Sequence, residues 1–585
     1  MTASNQNMLW ARILVDELIG QGIQSVCLLP GSRSTPLITA FTRRDEVKVF
    51  SHLDERSGAF FALGRAKSQE RPTPIVSTSG TATVNFHPAV VEAYHAGVPM
   101  LVLTADRPPV LRESGANQTI DQTDLYGEAV RWSYTLPEPE PEDRKLRSLR
   151  CVVARAVAES TAVPPGPVHL NVPFQKPLHP AERPDEIPDD LKRRPEETGT
   201  DDPTVTFHDS APAPGEETVR DLAGRLASTG RTMMVAGPGP FSEADQKQIA
   251  SFASAHAIPV AADPVSGMRF GPAAGDAPVL GGYDAYFTLS FLEEVGSPEL
   301  VLRFGAPPTT KQLSRTLAGS ETTQVLIRPD RSWADDTFAA DEVITAAPSA
   351  LLERLEDAGG SFAVDEAWAG RLLRADETSF DVAAENLDAP DFEGAYVMRA
   401  LSAMPDGSRL FVSNSMPVRD LDRYGRPDET DVHAYANRGA SGIDGITSTA
   451  LGIRSSAEAP ITMITGDLAF YHDMNGLLAL DRFDLDATIV VINNDGGGIF
   501  HMLPIEDYDP PFSEYMKTPH DLDFTGAADM YGADFERVHH PAEFEEVYRD
   551  AVGDGGTTII EVTVDAENNH RRREALKEEV TDRIS

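Results

Sequence analysis

Asp467 and the pair Asn493-Asn494 are the residues whose types and spacing carry most chemistry in this 585-residue chain. Each follows a short apolar run, Ile461 to Thr465 for the first and Ala487 to Ile492 for the second. Both runs predict buried parallel strands, and Met474 to Leu485 between them predicts a helix. Strand, helix and strand of this length form one crossover, so both polar turns fall at the same edge of one parallel sheet. Ligands bind at that carboxyl edge. There Asp467 gives a carboxylate, Asn494 an amide oxygen and the Gly496 turn a bare backbone carbonyl. Three hard oxygen donors with open positions suit Mg²⁺ (or Mn²⁺) shared with the phosphates of a ligand. A solvated loop holding an incidental Asp and Asn is the bland alternative. The strand context and the glycines Gly466, Gly496 and Gly497 weigh against it.

Other strand ends carry complementary chemistry. Gln24 to Leu29 predicts a strand that runs into Pro30-Gly31-Ser32-Arg33-Ser34-Thr35-Pro36. A glycine, small hydroxyls and one Arg at the start of a helix make an anion-binding turn. Val47 to Leu53 predicts the next strand, and Asp54-Glu55-Arg56 leads into a helix over 57–67. Thr73 to Ser77 ends in a small-residue turn around Gly80, and Pro99 to Thr104 ends in Ala105-Asp106-Arg107-Pro108-Pro109. Asn117 and Gln118 sit in a polar loop. Farther on, Gly305 to Lys311 ends a strand with small residues and one Lys, so Lys311 is expected to face a cleft. Gly237-Pro238-Gly239 looks like a nucleotide turn, but its continuation does not complete that fingerprint, and a structural role is favoured. Leu410 to Ser413 ends in Asn414-Ser415-Met416-Pro417-Val418-Arg419.

These turns need α/β scaffolds to hold them. The length predicts about three to four domains. Strands alternating with helices predict doubly wound parallel sheets, three of them. Domains are expected over 1–185, 186–370 and 371–585. A Pro, Asp and Glu-rich linker is expected over 177–216, and an acidic helical one over 349–379. Asp plus Glu total 92 against 51 Lys plus Arg, a net charge of −41. Such a surface repels nucleic-acid phosphate and suits a halophilic cytosol, where salt screens self-repulsion. No apolar run is long enough to cross a bilayer, and the N-terminus does not read as a signal peptide. Cys27 and Cys151 give no disulfide framework and are expected in the core. A cytoplasmic protein follows.

The motifs PGSRSTPL, HLDER, TSGTA, LTADRPP, GANQ, SNSMPVR, NRGASGIDG, GDLAFYHDMN and INNDGGGIF occur in that order. The Asp467 and Asn493-Asn494 spacing resembles the diphosphate–Mg²⁺ motif of thiamine diphosphate enzymes. Leu468 after the Asp, with PGSRSTPL and NRGASGIDG, resembles one family of them, the 2-succinyl-5-enolpyruvyl-6-hydroxy-3-cyclohexene-1-carboxylate synthases of menaquinone biosynthesis. The resemblance covers most of the chain and is poor in the central domain apart from the Lys311 turn.

That resemblance implies a transferase. It would decarboxylate 2-oxoglutarate and add the succinyl carbanion equivalent to isochorismate, releasing CO₂. It implies a pyrimidine-binding first domain, a diphosphate-binding third domain and a homodimer or dimer of dimers. Glu55 would hydrogen-bond the aminopyrimidine ring, and a carboxyl that must sit against an uncharged ring nitrogen wants an apolar pocket. Leu53, Phe60 and Phe61 are the expected walls. Both substrates are at least dianions, so Ser32, Arg33, Arg107, Asn117, Gln118, Lys311, Arg419 and Arg438 are the expected binding set, with Ser415 beside cofactor and substrate. Ile443 would be the apolar wedge that bends the cofactor. Gly80, Gly466, Leu468, Asn494 and Gly497 complete the implied cofactor site, and Asp467, Asn494 and Gly496 the metal site. An acetohydroxyacid-synthase-like or oxalyl-CoA-like lyase is the alternative, and the cationic set at Ser32, Arg33 and Arg107, which such an enzyme would not need, argues against it. A non-catalytic thiamine diphosphate-binding or assembly protein is a third reading, and intact Glu55, Asp467 and Asn494 argue against it.

Overall fold

The computed structural model describes residues 3–183, 185–188, 191, 203–208, 210–360, 362 and 364–585. Among the described residues eighteen strands assemble into three six-stranded sheets, and their pairings are parallel. The first sheet holds β1 Ser25–Leu28, β2 Lys48–Ser51, β3 Thr73–Ser77, β4 Met100–Asp106, β5 Trp132–Thr135 and β6 Pro167–Pro173. The second holds β7 Thr232–Ala236, β8 Val260–Ala262, β9 Val279–Leu280, β10 Leu300–Phe304, β11 Thr323–Arg328 and β12 Glu342–Thr345. The third holds β13 Ser408–Val412, β14 Val432–Tyr435, β15 Ile461–Gly466, β16 Thr488–Asn493, β17 Asp534–Val538 and β18 Thr558–Thr563. Their orders are β2-β1-β3-β4-β6-β5, β12-β11-β10-β7-β8-β9 and β14-β13-β15-β16-β18-β17.

The inner strands read as unbroken apolar runs because helices cover both faces of each sheet. In β16 every residue from Thr488 to Ile492 is buried. Replacing Ile489 there by Ala would remove about 2–5 kcal/mol. The strands that the sequence does not announce are β5, β9, β12 and β17. All four lie at sheet ends, and Asp534–Val538 buries only Val538. A half-solvated edge needs no apolar run, so period and composition do not reveal it.

The chain packs as two compact units. One contains 1–209, 438–458 and 473–485; the other contains 210–437, 459–472 and 486–585. In the first unit the helix Glu55–Gln69 lies against the helix Ile446–Arg454. The backbones touch: a side chain at Gly64 would come within 2.0 Å of the Thr449 carbonyl oxygen, and one at Gly452 within 2.2 Å of the Phe61 carbonyl.

Several expectations change. The helix expected over 474–485 is broken. A helix starts earlier, at Asp467–His472, and Met474–Leu477 and Leu478–Phe483 follow as a 3₁₀ turn and a short helix. The break is at Asp473, whose buried carboxylate turns away to accept from the Ser448 N–H (2.7 Å) and the Ser57 hydroxyl (3.3 Å). The acidic linker expected over 349–379 is instead core structure. Its helices Pro348–Asp357 and Glu366–Ala384 bury Leu351, Leu352, Leu355, Trp368 and Leu372. Its acidic residues include Asp376, which is buried on the Gly281 and Gly282 N–H groups. The first linker lies partly outside the described residues, and where it is described Leu178, Ile187 and Leu191 are buried in the core of the first unit. Cys27 is buried and its thiol is pushed up to about 12 by desolvation, whereas Cys151 is only half-buried. No helix among the described residues is long and apolar enough to cross a membrane.

Candidate active site

At the carboxyl edge of the third sheet, β15 and β16 pair in register from Thr462–Thr488 to Gly466–Ile492. Asp467 opens a helix directly after β15, and Asn493 is the last residue of β16. Asp467 is 2% exposed. Its Oδ1 accepts from the Leu468 N–H (2.6 Å) and its Oδ2 from the Gly496 N–H (2.9 Å). Burial pushes this carboxyl above the usual range, and the two N–H groups pull it back only in part. Gly496 adopts φ +127°, and a Cβ there would lie 2.1 Å from the Lys517 carbonyl oxygen. Only glycine fits that turn. Its own carbonyl accepts from the Gly498 N–H (3.0 Å) and keeps a second lone pair. Asn494 is half-buried and donates from Nδ2 to Glu393 Oε1 (2.9 Å). A buried carboxylate short of compensating charge, beside an amide oxygen and a carbonyl, is a donor set that fits Mg²⁺ or Mn²⁺.

His520 was not among the residues singled out by sequence. Its Nε2 lies 3.2 Å from Asp467 Oδ2, and its Nδ1 accepts from the Leu522 N–H (2.9 Å). With Nδ1 accepting, the neutral ring carries its proton on Nε2, facing the carboxylate. The residue comes from a loop with no strand beside it in sequence, so no edge argument could reach it.

Ser415 also lies at this sheet's edge, after β13. It holds φ +72°, a conformation that a non-glycine residue adopts at a cost of about 1–3 kcal/mol. Such strain collects at functional positions. Its carbonyl accepts from Arg419 Nη1 (2.5 Å), at the start of the helix Met416–Tyr424. Lys311 opens the helix Lys311–Ala318 in the same unit. Its side chain is 64% exposed, with an ion pair to Asp336 at 3.8 Å.

In the first unit, Glu55 is the first residue of its helix, half-buried, where the helix dipole favours a carboxylate. Asp54 caps that helix, accepting from the Arg56 N–H (2.8 Å) and from the Asn475 amide (2.6 Å). Phe60 and Phe61 are buried as expected, but Leu53 is 61% exposed and does not wall a pocket. The outward turn at Ser51–Asp54 is the reason, since β2 ends at Ser51.

Arg33 is 8% exposed, and its Nη1 donates to the Phe174 carbonyl (2.6 Å). Arg107 is half-buried and donates to the Gln118 carbonyl (2.6 Å) and to Ser79. Gln118 returns a bond to the Ser79 carbonyl (2.9 Å), so the β3 turn, the β4 turn and the 115–118 loop are tied together. Gly80, at φ +82°, donates to Gln122 (3.0 Å) within this cluster. Ser32 and Asn117 are exposed at its rim. Arg438 and Ile443 belong to the loop before the helix Ile446–Arg454, and both are half-buried. The carboxylate of Glu92, 2% exposed, holds that loop by accepting from the Gly439 (2.8 Å) and Ala440 (2.6 Å) N–H groups.

Comparisons with known proteins agree with this assembly. Residues 8–125 match the thiamine pyrophosphate enzyme N-terminal TPP-binding domain, and residues 426–562 match the C-terminal TPP-binding domain. A solved structure, benzoylformate decarboxylase from Polynucleobacter necessarius, superposes with a TM-score of 0.71 at 18% identity, covering 97% of this chain and 99% of its own, a likeness of fold. Proteins named 2-succinyl-5-enolpyruvyl-6-hydroxy-3-cyclohexene-1-carboxylate synthase are similar throughout. The one from Halobacterium salinarum is 49% identical over 99% of both chains. That from Haloarcula marismortui is 48% identical over 100% of both, and that from Roseiflexus castenholzii 44% over 98% of both. With two thiamine pyrophosphate domains and such identity from end to end, the chain belongs to the 2-succinyl-5-enolpyruvyl-6-hydroxy-3-cyclohexene-1-carboxylate synthase family of thiamine diphosphate enzymes.

Proposed function

We propose that this chain decarboxylates 2-oxoglutarate and joins the succinyl unit to isochorismate, using thiamine diphosphate and a divalent metal, as a step of menaquinone biosynthesis. The observation that carries this reading is the buried Asp467, with Asn494 and the Gly496 carbonyl, at the ends of two adjacent parallel strands of a family member. Bound thiamine diphosphate supplies the electron sink that makes loss of CO₂ from a 2-oxo acid feasible. The residues do the rest. Asp467, Asn494 and Gly496 hold Mg²⁺ (or Mn²⁺), and Gly466, Leu468 and Gly497 let backbone approach the diphosphate.

Glu55 would hydrogen-bond the aminopyrimidine ring, Gly80 and Ser415 would line the cofactor, and Ile443 would be the apolar wedge that bends it. Arg33, Arg107, Ser32, Asn117 and Gln118 receive isochorismate carboxylates, while Lys311, Arg419 and Arg438 complete the charge balance. Charge-assisted bonds of this kind favour dianionic substrates over monoanions such as pyruvate. In this reading 1–185 binds the pyrimidine, 371–585 the diphosphate, and 186–370 is a central domain.

The enzyme works in the cytoplasm as a homodimer or dimer of dimers, with Glu55 and Asp467 of each site supplied by different subunits. Its charge of −41 suits a salt-rich medium. The test is release of CO₂ from 2-oxoglutarate against pyruvate, with thiamine diphosphate and Mg²⁺, followed by isochorismate consumption. Preference for pyruvate would overturn the reading in favour of an acetohydroxyacid-synthase-like lyase.

A further inference from the structure

The Asn494 amide has two ends, and only one can bind a cation. Its Nδ2 faces Glu393 Oε1 at 2.9 Å, and among the described residues nothing donates to its Oδ1. Glu393 is 1% exposed at the start of the helix Glu393–Ala403. A carboxylate so buried needs a partner. Arg573, 4% exposed on the C-terminal helix Ala566–Ile584, donates from Nη2 to Glu393 Oε2 at 2.5 Å. The same guanidinium forks onto Asp420, Nε to Oδ1 and Nη2 to Oδ2, each at 3.0 Å. One turn earlier on that helix, Asn569 accepts from the Glu393 N–H (3.1 Å). Both carboxylate oxygens of Glu393 are thus assigned, one to Arg573 and the other to Asn494.

We propose that Glu393, held by Arg573, is a positioning residue that turns the Asn494 amide so that its oxygen, not its nitrogen, faces the metal. This rests on the reading that Asp467, Asn494 and Gly496 hold the metal. The physical reason is donor arithmetic. A carboxylate only accepts, so it selects the NH₂ end of the amide and leaves the oxygen free. Groups that orient ligands in this way typically contribute about 10–100-fold to metal affinity.

Glu393→Gln tests it. Arg573 has only donors, so it takes the new amide's oxygen and turns its NH₂ group toward Asn494. Asn494 must then flip, placing its own NH₂ toward the metal. Mn²⁺ binding in the presence of thiamine diphosphate, read by loss of the free-ion electron paramagnetic resonance signal, should weaken by about 10–100-fold. Adding Asn494→Asp should restore most of it, because a carboxylate accepts from Gln and still offers the metal an oxygen. Asp420→Asn, which disturbs the same buried cluster without touching Asn494, should lower the melting temperature of the metal-free protein. It should leave Mn²⁺ affinity within about threefold.

Affinity of Glu393→Gln within about twofold of wild type would overturn the proposal. So would failure of the double variant to recover, or an equal loss in Asp420→Asn. If Glu393→Gln does not fold, Asn494→Asp alone reads the same contact. Its new carboxylate meets Glu393 head-on, so Mn²⁺ should bind more weakly than to wild type, and binding about tenfold tighter would overturn the proposal. Asp467→Ala run beside these separates the two levels. Its loss of Mn²⁺ supports the metal site whatever Glu393 does, and its retention of Mn²⁺ would remove the underlying site itself.

Discussion

The first and third sheets share one strand order. Numbered within each sheet, both run 2-1-3-4-6-5. Their carboxyl edges nevertheless carry opposite chemistry. In the proposed function the first edge, with Arg33 and Arg107, receives anions. The third, with Asp467, Asn494 and a glycine carbonyl, receives a cation in the same reading. The winding is the same, so the difference lies wholly in a few turn residues. The central sheet sharpens the point. It runs 3-2-1-4-5-6 when renumbered, the order of dinucleotide-binding sheets. Yet its nucleotide-like turn at Gly237 is packed shut, since a side chain there would sit 1.7 Å from the Ala306 carbonyl oxygen. A sheet edge is a place where a site can be built, and the turn residues decide whether one is.

The comparison can be broken most forcefully at the cation edge. Asp467→Ala should abolish Mg²⁺-dependent binding of thiamine diphosphate, because the cation loses its one charged protein ligand. Calorimetric titration with and without Mg²⁺ reads this directly, and unchanged affinity in a folded variant would undo the contrast between the two edges.

At the first edge, Glu55→Ala should keep the cofactor but slow hydrogen–deuterium exchange at its C2 by about 10²–10⁴-fold. Wild-type exchange would deny Glu55 its role. Gly237→Ala sharpens the third member of the comparison. It should lose about 1–3 kcal/mol of stability from overpacking with cofactor affinity intact. A drop in that affinity at equal folding would make the central edge a ligand site after all.

The mildest expected effect compares two buried carboxylates. Asp467 faces the proposed cation site, whereas Asp473, in the first unit, faces Ser448 and Ser57. Burial pushes the Asp473 carboxyl from 3.8 up to about 6, against the pull of the Ser448 N–H. A raised acid binds its proton more readily when folded, so its contribution to stability is fully present below the unfolded value near 3.8. It is lost as pH rises through about 6. Asp473→Asn lacks that dependence. Its melting temperature relative to wild type should therefore climb between pH 4 and pH 7, by the equivalent of at most ~3 kcal/mol. A constant difference across that range would show that Asp473 is not titrating there.

The sequence by itself determined the inner strands, the turns after them and the residues those turns present. Apolar runs of four to seven residues ending in Gly, Ser, Asp or Asn mark a parallel sheet's carboxyl edge whatever packs around it, so Arg33, Glu55, Asp467 and Asn494 were readable at once. The motif order carried the family in the same way. Only the tertiary structure decided what lies behind those residues. The edge strands β5, β12 and β17 have no apolar period to announce them, and the acidic helices over 349–379 look solvated until Trp368 and Leu372 meet their core. Leu53 looks like a pocket wall until the chain turns it outward. His520, Glu92, Glu393 and Arg573 reach their partners across long stretches of chain. A charged residue buried by a distant partner looks, in sequence, the same as one on the surface. Local pattern encodes which groups a turn presents, and long-range packing decides which way each of them points.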